Sequence, residues 1–148
     1  MDTNVKLIIS GLSVYLLISG CSISDSEHPV NPFDKTITPA SEIENAFINQ
    51  LSFFTVTVKG TVTRIIKDCY EGEKNQRFTI QMPNKQTLLI VHNTEIAPPV
   101  TGITSGSEIF VHGEYVWNSE GGAVNWTHHD PDGIRENGWI LFNEEYFQ

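Results

Sequence analysis

Beyond residue 53 apolar and polar residues alternate with a period of two over long stretches, and that pattern sets the expected fold. From Phe54, the residues Val56, Val58, Gly60 and Val62 alternate with Thr55, Thr57, Lys59, Thr61 and Thr63, as in a strand with one face turned to a core. The parity breaks at Ile65 and Ile66, which predicts one long strand with a bend or bulge near Gly60 to Arg64. Arg77 to Met82 sets Phe78, Ile80 and Met82 against Arg77, Thr79 and Gln81, and Pro83-Asn84-Lys85 turns the chain. The nearly continuous apolar run Thr87 to Asn93 reads as a strand covered on both faces. After a loop with Pro98, Pro99, Gly102 and Gly106, Ile109, Val111, Gly113, Tyr115 and Trp117 share one face, with Phe110, His112 and Glu114 opposite. A turn over Asn118 to Gly122 leads into AVNWTH, a fifth strand, and GWILFNEEYF adds an edge strand.

Ahead of these strands, Ile43, Phe47, Ile48 and Leu51 lie at helical spacing behind a Ser41/Glu44 capping-box pattern, predicting a short amphipathic helix that plugs the β structure. The fold class expected is mainly β: a five-stranded barrel resembling the oligonucleotide/oligosaccharide-binding (OB) type, with one short N-terminal helix. Its first strand is long and bent, a long connection follows the third, and Gly60 and Gly113 stand where a tight barrel must curl.

The chain start changes the picture. Lys6 precedes a mostly apolar stretch, Leu7 to Ile18, too short for a permanent membrane span, and Ile18-Ser19-Gly20-Cys21 resembles a bacterial lipobox. The expected organisation is a lipoprotein signal over residues 1–20, a lipidated Cys21 with a flexible tether over 21–39, and the β domain over 40–148. Membrane attachment is then through acyl chains on Cys21, in a periplasm-facing envelope location, and Ser22 after the cysteine favours the outer membrane. Lipidation of Cys21 would leave Cys69 without a partner; no CxxC or nearby His marks it, and it reads as incidental.

The formal net charge of the 148 residues is −9, unevenly placed. Phe54 to His92 carries six Lys/Arg against three Asp/Glu, whereas Asn93 to Gln148 carries nine Asp/Glu and only Arg135. So acidic a second half argues against general nucleic-acid or anionic-lipid binding, whose affinity comes from phosphate neutralisation.

Two sets of residues are candidates for function. Lys59, Arg77, Thr79 and Gln81 form a polar strand face that would present itself to an envelope saccharide, peptide or anionic small ligand. The second lies in AVNWTHHDPDG. Strand alternation turns Val124, Trp126 and His128 inward and His129 outward, so the adjacent histidines diverge, and Asp130-Pro131-Asp132-Gly133 is a type I turn signature. His128 and Asp130, joined by His92 and with His112 or Glu114 near, would suit zinc or another borderline metal. That set gives the alternative reading, a metal-dependent hydrolase of nuclease or phosphodiesterase type in which Arg77 steadies a phosphate. No HExxH or His-x-His spacing supports it. A packed, hydrogen-bonded histidine cluster explains the same residues.

The blocks NQRF, TLLIVHN, APPV, GEYVWN, WTHHDPDG and NGW, in this order, resemble a bacterial family of domains of unknown function over about Phe54 to Gln148. The resemblance implies a small secreted or envelope protein with a barrel-like domain and brings no activity. The resemblance implies that family members often carry histidines where this chain has Asn75 and Arg135, which weighs against a metal site needing a full histidine set. The leading expectation is therefore a lipid-anchored envelope protein that serves as a ligand-binding or accessory module.

Overall fold

A computed structural model describes residues 35–67 and 74–148. Cys21, the signal, most of the tether and Cys69 lie outside the described residues. No helix among the described residues is long and apolar enough to cross a membrane.

The protein is mainly β. Helix α1 (Ala40–Ile48) precedes seven strands, β1 (Phe54–Ile66), β2 (Asn75–Gln81), β3 (Thr87–Asn93), β4 (Glu108–Val116), β5 (Ala123–Asn125), β6 (Trp139–Phe142) and β7 (Glu145–Phe147). Five strands hydrogen-bond in the order β1-β2-β3-β5-β4, and β4 returns to β1, so they close into a ring. Closure leaves these five few free edges. The length of β1 makes it possible: Thr61 to Ile66 pairs with β2 while Phe54 to Thr61 pairs with β4. The expected irregularity falls between Val62 and Arg64, where the register shifts.

Inside the ring, alternate residues of the strands meet: Val56, Val58 and Val62 of β1, Phe78 and Ile80 of β2, Leu88 and Ile90 of β3, and Ile109, Val111 and Tyr115 of β4. On β3 the outward Leu89 and Val91 are only half-buried, so its apolar run is sealed on one face rather than two. Burial of so many aliphatic side chains, each contributing roughly 1.5–3 kcal/mol, is the main force holding the ring.

Ile43 and Ala46 of α1 enter the same cluster, as expected of a plug, but Ile48 and Leu51 stay exposed. The helix starts one residue before the expected cap. Pro39 occupies the N-cap, and no side-chain cap bond forms there.

The decisive feature for function lies on β4. One edge of β4 pairs continuously with β1. Its other edge is divided: β6 takes Phe110, Val111 and His112, while β5 takes Glu114, Tyr115 and Val116. Gly113 marks the division; a Cβ there would stand 2.3 Å from the Asn125 carbonyl oxygen. Between leaving at Asn125 and returning at Trp139 the chain makes an excursion over residues 126–138. The expected edge strand is in fact a hairpin, β6 and β7, added to this edge.

Candidate ligand cleft beside His112

Outward residues of β4 should face solvent, yet His112 is only 3% exposed. Its cross-strand partner on β1 is Thr57, whose hydroxyl oxygen lies 2.8 Å from His112 Nδ1. Its ring stacks on Trp139 of β6 with centroids 5.4 Å apart. The other ring nitrogen, Nε2, is buried and has no hydrogen-bond partner among the described residues. It points toward Glu136, whose Oε1 stands 3.7 Å away, beyond hydrogen-bond range. Glu136 in turn accepts a hydrogen bond from Lys35. That lysine begins a segment whose Thr38 bonds back and forth with the Thr57 backbone.

His112 forms part of the wall of a cleft of about 650 Å³, which also includes Phe53, Glu114, Trp126, Arg135 and Glu136, within the roughly 300–1,000 Å³ typical of small-molecule sites. The Arg135 guanidinium carbon lies over the Trp126 ring, 4.1 Å from its centroid, a cation–π contact, and its Nη1 is 3.6 Å from Glu114 Oε2. Two aromatic residues frame the opening: Phe53 is 75% and Trp126 39% exposed. Both adopt left-handed backbone angles, φ 67° for Phe53 and 54° for Trp126, which bulky L-residues rarely adopt and which concentrate at functional sites.

Local sequence explains how the loop holds this shape. Gly133 N–H donates to Asp130 O, closing the expected turn. The Asp130 carboxylate accepts from the backbone N–H of Asp132 through Oδ1, and from Ile134 and Arg135 through Oδ2. These bonds, that from Arg135 foremost, hold its carboxyl below the ordinary 3.8. Gly138 closes the excursion. Its N–H donates to His128 O, and a Cβ on it would sit 1.8 Å from Trp126 O and 2.9 Å from His112 O.

Burial lowers the pKa of His112 below 6.5, with Glu136 opposing, while the Lys35 hydrogen bond lowers that of Glu136. Near neutral pH the His112 imidazole is therefore neutral and Glu136 ionised, beside Glu114 and Arg135 in the cleft wall and with Lys35 behind Glu136.

The residues expected from sequence are distributed differently. His92 is fully buried on β3: Nε2 donates to Pro98 O, and Nδ1 lies 2.9 Å from Thr127 Oγ1. Burial lowers its pKa too. His128 Nδ1 donates to His129 O at 2.7 Å, and Asp130 is occupied by the turn. Among the described residues no three His, Cys, Asp or Glu side chains gather to hold a metal, so His92, His128 and Asp130 do not form a ligand group. Nor do Lys59, Arg77, Thr79 and Gln81 line the cleft. Lys59 pairs with Glu108 at 2.9 Å, Thr79 bonds Thr63 at 2.8 Å, and Arg77 is engaged within the fold.

Trp126 corrects the strand reading. β5 ends at Asn125, Trp126 turns outward, and the adjacent Thr127 and His128 are both buried, so alternation stops. Arg135 and Glu136 had no motif to betray them. The one local sign was their position between the DPDG turn and Gly138-Trp139, which forces the loop back onto β4.

No curated protein matches the chain. Residues 32–148 match the family described as Protein of unknown function (DUF3465), and the chain belongs to that family.

Proposed function

We propose that this protein is a lipid-anchored binding module of the bacterial cell envelope, attached through Cys21 with the outer membrane favoured, and that its ligand occupies the cleft beside His112. The observation that carries the reading is the cleft itself, whose wall includes His112, a residue with a buried Nε2 that has no hydrogen-bond partner among the described residues and faces Glu136 at 3.7 Å. Leaving such an atom unsatisfied costs roughly 1–3 kcal/mol, which a ligand group can recover where the half-exposed Glu136 side chain yields to it. Strain at Phe53 and Trp126 supports the same location. The strand order β1-β2-β3-β5-β4 with closure onto β1 supports reading the ring as a small OB-like barrel, a rigid frame for a site on its outer face. The lipobox-like Ile18-Ser19-Gly20-Cys21 supports the anchoring.

The test uses the full chain expressed in a bacterium. Acyl labelling should appear on the protein and vanish in Cys21→Ala, and the immobilised protein should retain an envelope component that Trp126→Ala loses. Absence of label on the unsubstituted chain removes the anchor. Retention that is equal for the Trp126→Ala variant removes the cleft.

A further inference from the structure

The charges around the cleft are already matched. Glu114 stands against Arg135 at 3.6 Å, and Glu136 against Lys35, so two carboxylates and two cations sum to zero. An anionic ligand reaching Arg135 would be brought beside both carboxylates, and a cationic ligand reaching either carboxylate would meet Arg135 or Lys35. Each must break a pair and leave a charge uncompensated, which is costly where water is restricted. A neutral ligand bearing several hydroxyls has no such conflict. Its hydroxyls can donate to the carboxylates and accept from Arg135 while both ion pairs stand, each contact being a charge-assisted hydrogen bond.

The other walls point the same way. His112 Nε2 is sealed behind Glu136, so a ligand reaches it by displacing that side chain; it is a donor in one neutral tautomer and an acceptor in the other, and a hydroxyl satisfies either. Phe53 offers an exposed ring for the apolar C–H face of such a ligand, whereas one face of Trp126 is already covered by Arg135. Added-strand recognition of a peptide backbone needs an open strand edge. At Glu114 β4 has none, since that residue pairs with Thr55 on one side and Asn125 on the other, and the break at Gly113 is one residue long.

We infer that the cleft binds an uncharged saccharide, with Phe53 stacking on the ring and Glu114, Glu136, Arg135 and His112 dividing its hydroxyls. The inference rests on the cleft being the ligand site, as proposed above.

Calorimetric titration of the full chain in detergent with neutral chitotriose and cellotriose, anionic trigalacturonate, the cationic glucosamine trimer and tetra-alanine tests it. At least one neutral trisaccharide should bind in preference to the charged probes and the peptide. Its affinity should change less than about twofold between low and roughly 0.5 M salt, because no net charge meets another. Phe53→Ala and Glu114→Gln, at exposed or partly exposed positions that leave the core intact, should each weaken it about tenfold. Preference for a charged trimer or the peptide, still lost in Phe53→Ala, overturns the neutral-saccharide assignment and leaves the cleft standing. Neutral-saccharide binding untouched by both variants overturns the cleft itself. If no probe binds, the assignment fails, and the Trp126-dependent envelope capture decides the cleft separately.

Discussion

Thr57→Val probes the frame of the cleft without touching its surface. Threonine and valine share a shape, so the substitution removes one hydroxyl and little else. That hydroxyl is the hydrogen-bond partner of His112 Nδ1, at 2.8 Å between two buried side chains. Since Nε2 already lacks a hydrogen-bond partner among the described residues, the variant takes away the imidazole's side-chain partner and leaves it only the Val56 backbone. Losing such a bond in a buried site costs about 1–3 kcal/mol. For a domain near 100 residues each kcal/mol moves the midpoint by roughly 4–8 °C, so Tm should fall by roughly 4–24 °C. Thermal unfolding followed by circular dichroism at neutral pH measures it. Thr57→Ser, which keeps the hydroxyl, should lose much less. Adding His112→Phe to Thr57→Val removes the stranded group, so the double variant should lose less than the two single losses added together. A Tm of Thr57→Val within about a degree of the unsubstituted protein, or strict additivity of the two changes, would refute the reasoning.

Three further outcomes follow from the same geometry. Gly138→Ala drives a Cβ into the Trp126 carbonyl, 1.8 Å from its oxygen; backbone must move, and denaturant unfolding should show a loss of at least about 1–3 kcal/mol, whereas an unchanged midpoint would show that the loop yields freely. Asp130→Asn replaces one of the two carboxylate oxygens, so amide exchange at Ile134 and Arg135, or at Asp132, should accelerate relative to the rest of the chain; uniform exchange would mean the carboxylate does not hold the loop. Burial holds the pKa of His92 and His112 below 6.5 in the fold, so the unfolded chain takes up protons first as pH falls. Their contribution is complete above about pH 6.5 and is lost below it, and Asp130 and Glu136, held below their ordinary values, extend the loss into stronger acid. Urea midpoints should therefore decline from neutral pH downward, and a rise between about pH 7 and 5 would contradict the assignment of neutral buried imidazoles.

The ring was legible because its information is local. Alternation on β1, β2 and β4 set which residues meet inside, the parity break at Ile65 announced the register shift, and Asp130 to Gly133 announced a turn. The cleft was not legible, because each step in building it is set by residues distant in sequence. Trp126 leaves the strand pattern because the chain returning at Gly138 occupies the adjoining space against Trp126 O and His112 O. His112 lies on the outward face of β4 by parity and is buried only because Trp139 stacks on it and the 126–138 excursion covers it. Thr127 is drawn inward by His92 and Val91 on β3, which no neighbour in sequence could foretell. The sequence offered Lys59, Arg77, Thr79 and Gln81 as a binding surface, with a solvated outer face as plausible a reading of the same residues, and the fold places none of the four in the cleft.

That contrast supplies the most direct test. Amide chemical shifts of the full chain, followed by NMR while the best-binding trisaccharide is added, report which surface meets the ligand. Gly113, Glu114, Trp126 and Glu136 should move together, along with the imidazole Nε2 signal of His112. Movement centred on Lys59, Arg77, Thr79 and Gln81, with those signals still, would contradict it.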